Sequence, residues 1–186
     1  MKTSKMLVAL SLLTVCAFTV FAKTKEEKQT EARKEANETL SRLYKAQPSA
    51  RAAVKSAAGY AVFTSKSVKI LFGGGGRGSG IAVDNATSKV TYMKMGEFQA
   101  GLGMGVKKFS VVFVFEKKAA LVNFINNGWQ FGGQTTAAAK GGSGGGSLQG
   151  ATSVSDGVWL YQMTDKGLAL ELTAKSTKYS KDDDLN

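Results

Sequence analysis

Gly73-Gly74-Gly75-Gly76-Arg77-Gly78-Ser79-Gly80 runs directly into Ile81-Ala82-Val83, and the reading of this stretch decides the fold. It formally contains GxGxxG at Gly73, Gly75 and Gly78. That fingerprint needs a strand before it and a helix after it, so that a phosphate meets the helix N-terminus. Here the following residues read as strand, and no Lys-Ser or Lys-Thr of the Walker type follows. A segment this rich in glycine matches almost any glycine pattern, so a nucleotide site is set aside. Two readings stay open. One is a bent barrel strand or hairpin. The other is a loop whose backbone N–H groups join Arg77 in an anion nest, with Gly73, Gly74, Gly75, Gly76 and Gly78 as its glycine-loop residues.

Around this stretch the apolar pattern has a period near two, beginning at Gly59. Strands are expected near 59–64, 68–74, 80–84, 89–95, 99–106 and 109–116, with a turn at Asp84-Asn85-Ala86-Thr87-Ser88. Ala120, Leu121, Phe124 and Ile125 then fall at helical spacing, and Asn127-Gly128 stops that helix. Strand returns over 129–138. A Gly/Ser loop over 139–150 follows, then strands at 158–164 and 168–178 joined by Asp165-Lys166-Gly167. The GxSxG at Gly141–Gly145 lacks a nucleophile elbow and a His to serve as base, so it counts as loop composition. Strands in sequence with short turns favour an antiparallel meander, which closure into a barrel would relieve of its edges. Gly101, Gly103 and Gly105 share one strand face, where a helix or a bulky ring can approach the backbone.

Ahead of Gly59 there is no glycine at all. Thr24 to about Gln47 is rich in Glu, Lys, Ala and Arg, with Ala32, Ala36, Leu40, Leu43 and Tyr44 at helical spacing. Pro48 ends it, and a short second helix follows over 49–57. Met1–Ala22 reads as a secretory signal, with Lys2 and Lys5, an apolar run, and Val20-Phe21-Ala22 at the cleavage site. A membrane anchor would need about 20 apolar residues, more than this run supplies. Lipidation at Cys16 is a minor alternative, since Val15 fits that signal poorly.

The domain reading is therefore 1–22 signal peptide, 23–58 helical segment, 59–181 glycine-rich β-barrel core and 182–186 acidic tail. The fold class is mainly β with helices (α+β): an antiparallel β-barrel-like core with N-terminal helices and one inserted helix packed on it.

The chain of 186 residues has no His and one Cys, Cys16, inside the leader. Disulfides, cysteine nucleophiles, His-based triads and the usual zinc sites are thus excluded, and no cofactor is expected. Asp182-Asp183-Asp184 reads as a solvated tail rather than a cation site. Net charge is +11, of which Lys2 and Lys5 supply two. That balance favours anionic partners. Lys107-Lys108 and Lys117-Lys118 bracket the strand expected over 109–116, so the strand has basic ends. Each lysine alone reads as solubilising charge; together they read as headgroup contacts. Lys66, Lys69 and Lys140 add to the field if their faces agree. Trp129, Phe131, Phe124 and Trp159 read as core, and no aromatic–basic interleaving suits nucleic acid.

Gly59-Tyr60-Ala61-Val62-Phe63, the glycine segment, Gly96-Glu97-Phe98-Gln99-Ala100-Gly101-Leu102-Gly103, Phe113-Val114-Phe115, Leu121 through Asn127-Gly128-Trp129, Lys166-Gly167-Leu168-Ala169-Leu170 and Thr177-Lys178-Tyr179 occur in that order. This order resembles the SYLF domain (Ysc84 family) in its bacterial exported form, from roughly Ser49 to the end. The resemblance implies a β-barrel core with helices on its surface. It implies binding of anionic lipids, phosphoinositides in eukaryotic relatives, actin association in some fungal ones, and no catalysis.

The expected protein is thus a non-enzymatic exported lipid-binding domain of the bacterial periplasm or envelope. It docks on anionic phospholipid headgroups through Arg77, Lys107, Lys108, Lys117, Lys118 and the glycine loop. The alternative is an envelope structural or protein-interaction module without lipid specificity.

Overall fold

The computed structural model describes residues 23–70, 73–100, 105–131, 148–164, 167–169 and 176–186. The leader, the GxSxG segment, Gly101, Gly103 and Lys140 lie outside them, as do the side chains of Lys69 and Lys107.

Helix α1 spans Lys25–Ala46. Thr24 and Glu27 form a reciprocal capping box, in which the Glu27 N–H donates to Thr24 Oγ1 at 3.2 Å and the Thr24 N–H donates to Glu27 Oε2 at 2.9 Å. Its buried stripe is Ala32, Ala36, Thr39, Leu40 and Leu43. Helix α2, Ser49–Ser56, buries Ala50 and Val54. Helix α3, Lys118–Asn127, buries Leu121 and Phe124. It stops at Gly128, where φ is +67° and a Cβ would collide with the Tyr179 carbonyl oxygen.

The strands are β1 (Gly59–Ile70), β2 (Gly73–Asp84), β3 (Val90–Ala100), β4 (Gly105–Phe115), β5 (Trp129–Phe131), β6 (Thr152–Ser155), β7 (Val158–Thr164), β8 (Gly167–Ala169) and β9 (Ser176–Lys181). They form one antiparallel sheet, curled into a half-barrel, ordered β5-β9-β3-β2-β1-β4-β7. Both β6 and β8 pair with β7. The α+β class and the barrel-like sheet therefore hold. The strand order is not a simple meander. β4 returns to pair with β1, and β9 pairs with β3 and β5.

Several strands are longer than their apolar runs. The segment expected at 59–64 and the start of the one expected at 68–74 are joined in one strand, β1, through Ser65-Lys66-Ser67, while Gly73-Gly74 belong to β2. Here alternation continues with polar residues: Ser65 and Ser67 are buried and Lys66 is exposed. The glycine segment, open between loop and strand, is strand. Gly73–Asp84 pairs residue by residue with β1, and Gly73–Val83 pairs likewise with β3. A strand flanked on both edges spends its backbone N–H groups on the sheet ladders, which leaves no anion nest there.

Period two splits the core into two layers. Val62, Ile81, Tyr92, Val112, Val114, Trp159 and Tyr161 face α1 and α2. Phe63, Phe113, Phe115, Leu160 and Tyr179 face α3 with Phe124. Glycine matters in the second layer. Gly80 stands directly opposite Phe63, and a Cβ on Gly80 would overlap that ring. The close approach of a ring to bare backbone is thus realised, at Gly80.

The end of the chain is docked to the fold. Leu185 is buried among the α1-side layer. The Asn186 side-chain amide exchanges two hydrogen bonds with the Tyr92 backbone, at 3.0 and 2.8 Å. Gln29 donates to the Leu185 carbonyl at 2.7 Å. The acidic run, expected as a solvated tail, has Asp183 and Asp184 exposed in a turn held by an apolar anchor.

Candidate functional site

Helix α1 covers only part of its sheet face. At its border Thr39, Thr64 and Ser110 form a buried hydroxyl cluster with oxygens 3.3–3.4 Å apart. Ser79 donates to Glu35 of α1 at 3.2 Å. These hydroxyls occupy one transverse row, since Thr64 pairs with both Ser79 and Ser110.

The next row outward, on the same face, is cationic. Lys108 pairs with Lys66, Lys66 with Arg77, Arg77 with Gly96, and Gly96 with Lys178. Directly paired residues share a face. Lys108, Lys66, Arg77 and Lys178 are all exposed. With strands ~4.8 Å apart the row is about 19 Å long. Like charges placed directly opposite destabilise a sheet, so the row costs the fold free energy. Glu31 of α1 is within electrostatic reach of Lys66. The Lys23 ammonium, 2.6 Å away, holds its carboxyl below the usual carboxylate range, and Lys66 and Lys34 deepen the shift.

The expected residues are thus divided. Arg77 and Lys108 stand in the row. Lys107 and Lys108 lie inside β4 rather than at its end, because β4 begins at Gly105. Lys107 occupies the register position opposite Ser67. Lys117 and Lys118 follow the far end of β4, about 24 Å along the strand from Lys108 to Phe115. Each is committed to a carboxylate, Lys117 to Asp156 at 2.5 Å and Lys118 to Asp84. The two lysine pairs do not converge on one surface.

The Asp84 pair has a pH consequence. The Lys118 ammonium, with the Thr87 hydroxyl and the Ala86 N–H, holds the Asp84 carboxyl below its usual range. A carboxyl depressed in the folded state stabilises the fold above its unfolded value, and that stability is lost as pH falls through the folded one. The melting temperature should therefore drop below about pH 4. Asp84→Asn should lower it at neutral pH and flatten the acid limb, as thermal unfolding across a pH series would read.

Lys178 was missed in sequence and Lys66 left unplaced, because only register puts them beside Arg77. Their signal is faint: each is a Lys flanked by Ser, Thr or Tyr inside a strand-like run.

Residues 96–186 match the family described as Ysc84, Las17-binding protein actin regulator. The match begins at Gly96, inside β3, while the sheet extends back to Gly59, so the SYLF match covers only part of the folded sheet. The chain is also similar to beta cell expansion factor A of Aeromonas veronii, 36% identical over 165 residues. That alignment covers 88% of this chain and 60% of the relative. Lys178 lies within the SYLF match, whereas Lys66 and Arg77 precede it.

Proposed function

We propose that the chain is a non-enzymatic, exported SYLF domain that docks on anionic phospholipid surfaces through Lys66, Arg77, Lys108 and Lys178. The observation carrying this reading is the in-register cation row: four exposed charges, with no ion-pair partner for any of them among the described residues. The row costs stability, which a binding role explains and solubility alone does not. The family's link to lipid binding supports the same reading. Lys66 and Arg77, about 5 Å apart at Cβ, suit a headgroup carrying more than one phosphate charge, such as a phosphoinositide-like one. Export through the Met1–Ala22 leader places the domain in the bacterial periplasm or envelope.

Among the described residues no helix is long and apolar enough to cross a membrane. Docking is assigned to the sheet because the cation row lies on it. The test is co-sedimentation of the exported chain with neutral and anionic vesicles across a salt series. Binding to anionic vesicles that weakens steeply with salt is expected. Indifference to anionic vesicles at low salt would sink the reading and favour a protein partner in the envelope.

A further inference from the structure

Outward of the cation row, on the same face, the next transverse row is apolar. Val68 pairs with Gly75, and Gly75 with Phe98. Val68 is 46% exposed and Phe98 is 64% exposed. Among the described residues the third large exposed apolar side chain is Val122, on α3 and away from this row. Gly75 puts no side chain between Val68 and Phe98. A Cβ there would meet only the Glu97 carbonyl oxygen, at 3.4 Å. The row is thus an open apolar strip that nothing described covers.

Three successive rows then form a gradient along β1 and β2. Thr64 and Ser79 sit under α1, Lys66 and Arg77 come next, and Val68 and Gly75 are outermost. Each step is two residues, ~7 Å. A bilayer surface has a matching order over a matching depth: water, then phosphates, then the acyl boundary some 5–10 Å below. Phe98 is the residue type that gains by entering that boundary. A protein partner would need an apolar strip edged by acidic residues at the same spacing. An anionic bilayer presents that arrangement everywhere, which commits the strip to lipid.

We infer that Val68 and Phe98 penetrate the interfacial layer of an anionic bilayer while the cation row holds the phosphates. The domain therefore docks tilted, with this end of β1–β3 in the lipid. This rests on the lipid-docking reading above and adds insertion and orientation to it.

The experiment exploits the absence of cysteine after Cys16. Val68→Cys, Phe98→Cys and, at the opposite end of the sheet, Lys89→Cys are each made in the exported chain and labelled with a polarity-sensitive nitrobenzoxadiazole dye. Vesicles of phosphatidylcholine with phosphatidylglycerol are added, with and without spin-labelled lipid quencher. A blue shift and quenching at positions 68 and 98, with neither at 89, is the expected result. The unlabelled Phe98→Ser variant should bind about tenfold more weakly. Its residual binding should be abolished by salt, whereas the parent retains some. Pelleting without a shift at 68 or 98 overturns insertion and leaves the lipid-docking reading standing. No pelleting at low salt overturns both. A concentration-dependent shift without lipid also overturns insertion, because a second copy of the chain then covers the strip.

Discussion

Arg77→Glu combined with Lys108→Glu lowers affinity for anionic vesicles by about three orders of magnitude. Each basic residue at an anionic surface contributes about 1 kcal/mol, and reversal replaces that attraction by a similar repulsion. Two reversals therefore amount to ~4 kcal/mol, at 1.4 kcal/mol per decade. The fold should not suffer. Lys66 pairs with both positions, so the variant alternates Glu, Lys, Glu across β4, β1 and β2. Cross-strand opposite charges are each worth roughly 0.2–1 kcal/mol, and both like-charge clashes with Lys66 disappear. The melting temperature should stay level or rise while binding is lost. Lys55→Glu with Lys89→Glu changes net charge equally, at sites off the row, and should weaken binding far less. Vesicle titration of both variants with thermal unfolding is the measurement. Equal losses in the two variants would mean that net charge, not the row, carries binding.

Phe113→Ala should be the most damaging single substitution for stability. Its ring contacts Phe124 at 5.3 Å and Tyr179 edge-on at 5.1 Å between centroids. Phe63, Phe115, Trp129 and Phe131 surround it at 5.9–6.2 Å. Those rings come from β1, β4, α3, β5 and β9, so Phe113 joins the middle of the sheet to one edge and to the helix. Truncating a buried Phe costs about 3–5 kcal/mol. For a domain of this size that is a fall of roughly 6–20 °C in melting temperature. The cluster lies on the α3 face, opposite the cation row, so vesicle binding below the melting temperature should be unchanged. A fall of only a degree or two would show that the cluster relaxes around the gap.

Local signals made much of this fold legible. Thr24 and Glu27 cap α1, and glycine is absent before Gly59, where the period changes to two. Asp84 through Ser88 carries turn chemistry, and its Asn85 also binds the Val54 and Ala57 carbonyls that end α2. The sign of the net charge was legible too, because excess charge is a property of composition.

The glycine segment shows why the rest was not legible. Loop and strand glycines are the same residues, and only flanking strands that take up both edges separate the two states. β1 supplies one such strand and β3 the other. The acidic run is a similar case. Three aspartates suggest a solvated tail, and Asp183 and Asp184 are exposed, yet burial of Leu185 and the Asn186 amide bonds hold the run in a turn. Lys117 and Lys118 read as free charge until tertiary contacts bring Asp156 and Asp84 to them.

By itself the sequence determined which residues alternate, where helix gives way to strand, and the sign of the charge. Those are near-neighbour properties along one chain. Only the tertiary structure decided that Lys108, Lys66, Arg77 and Lys178 form one row, with Val68 and Phe98 beyond it. These residues are distant in sequence. A one-residue change of register would send each strand's side chains to the opposite face and dissolve the row.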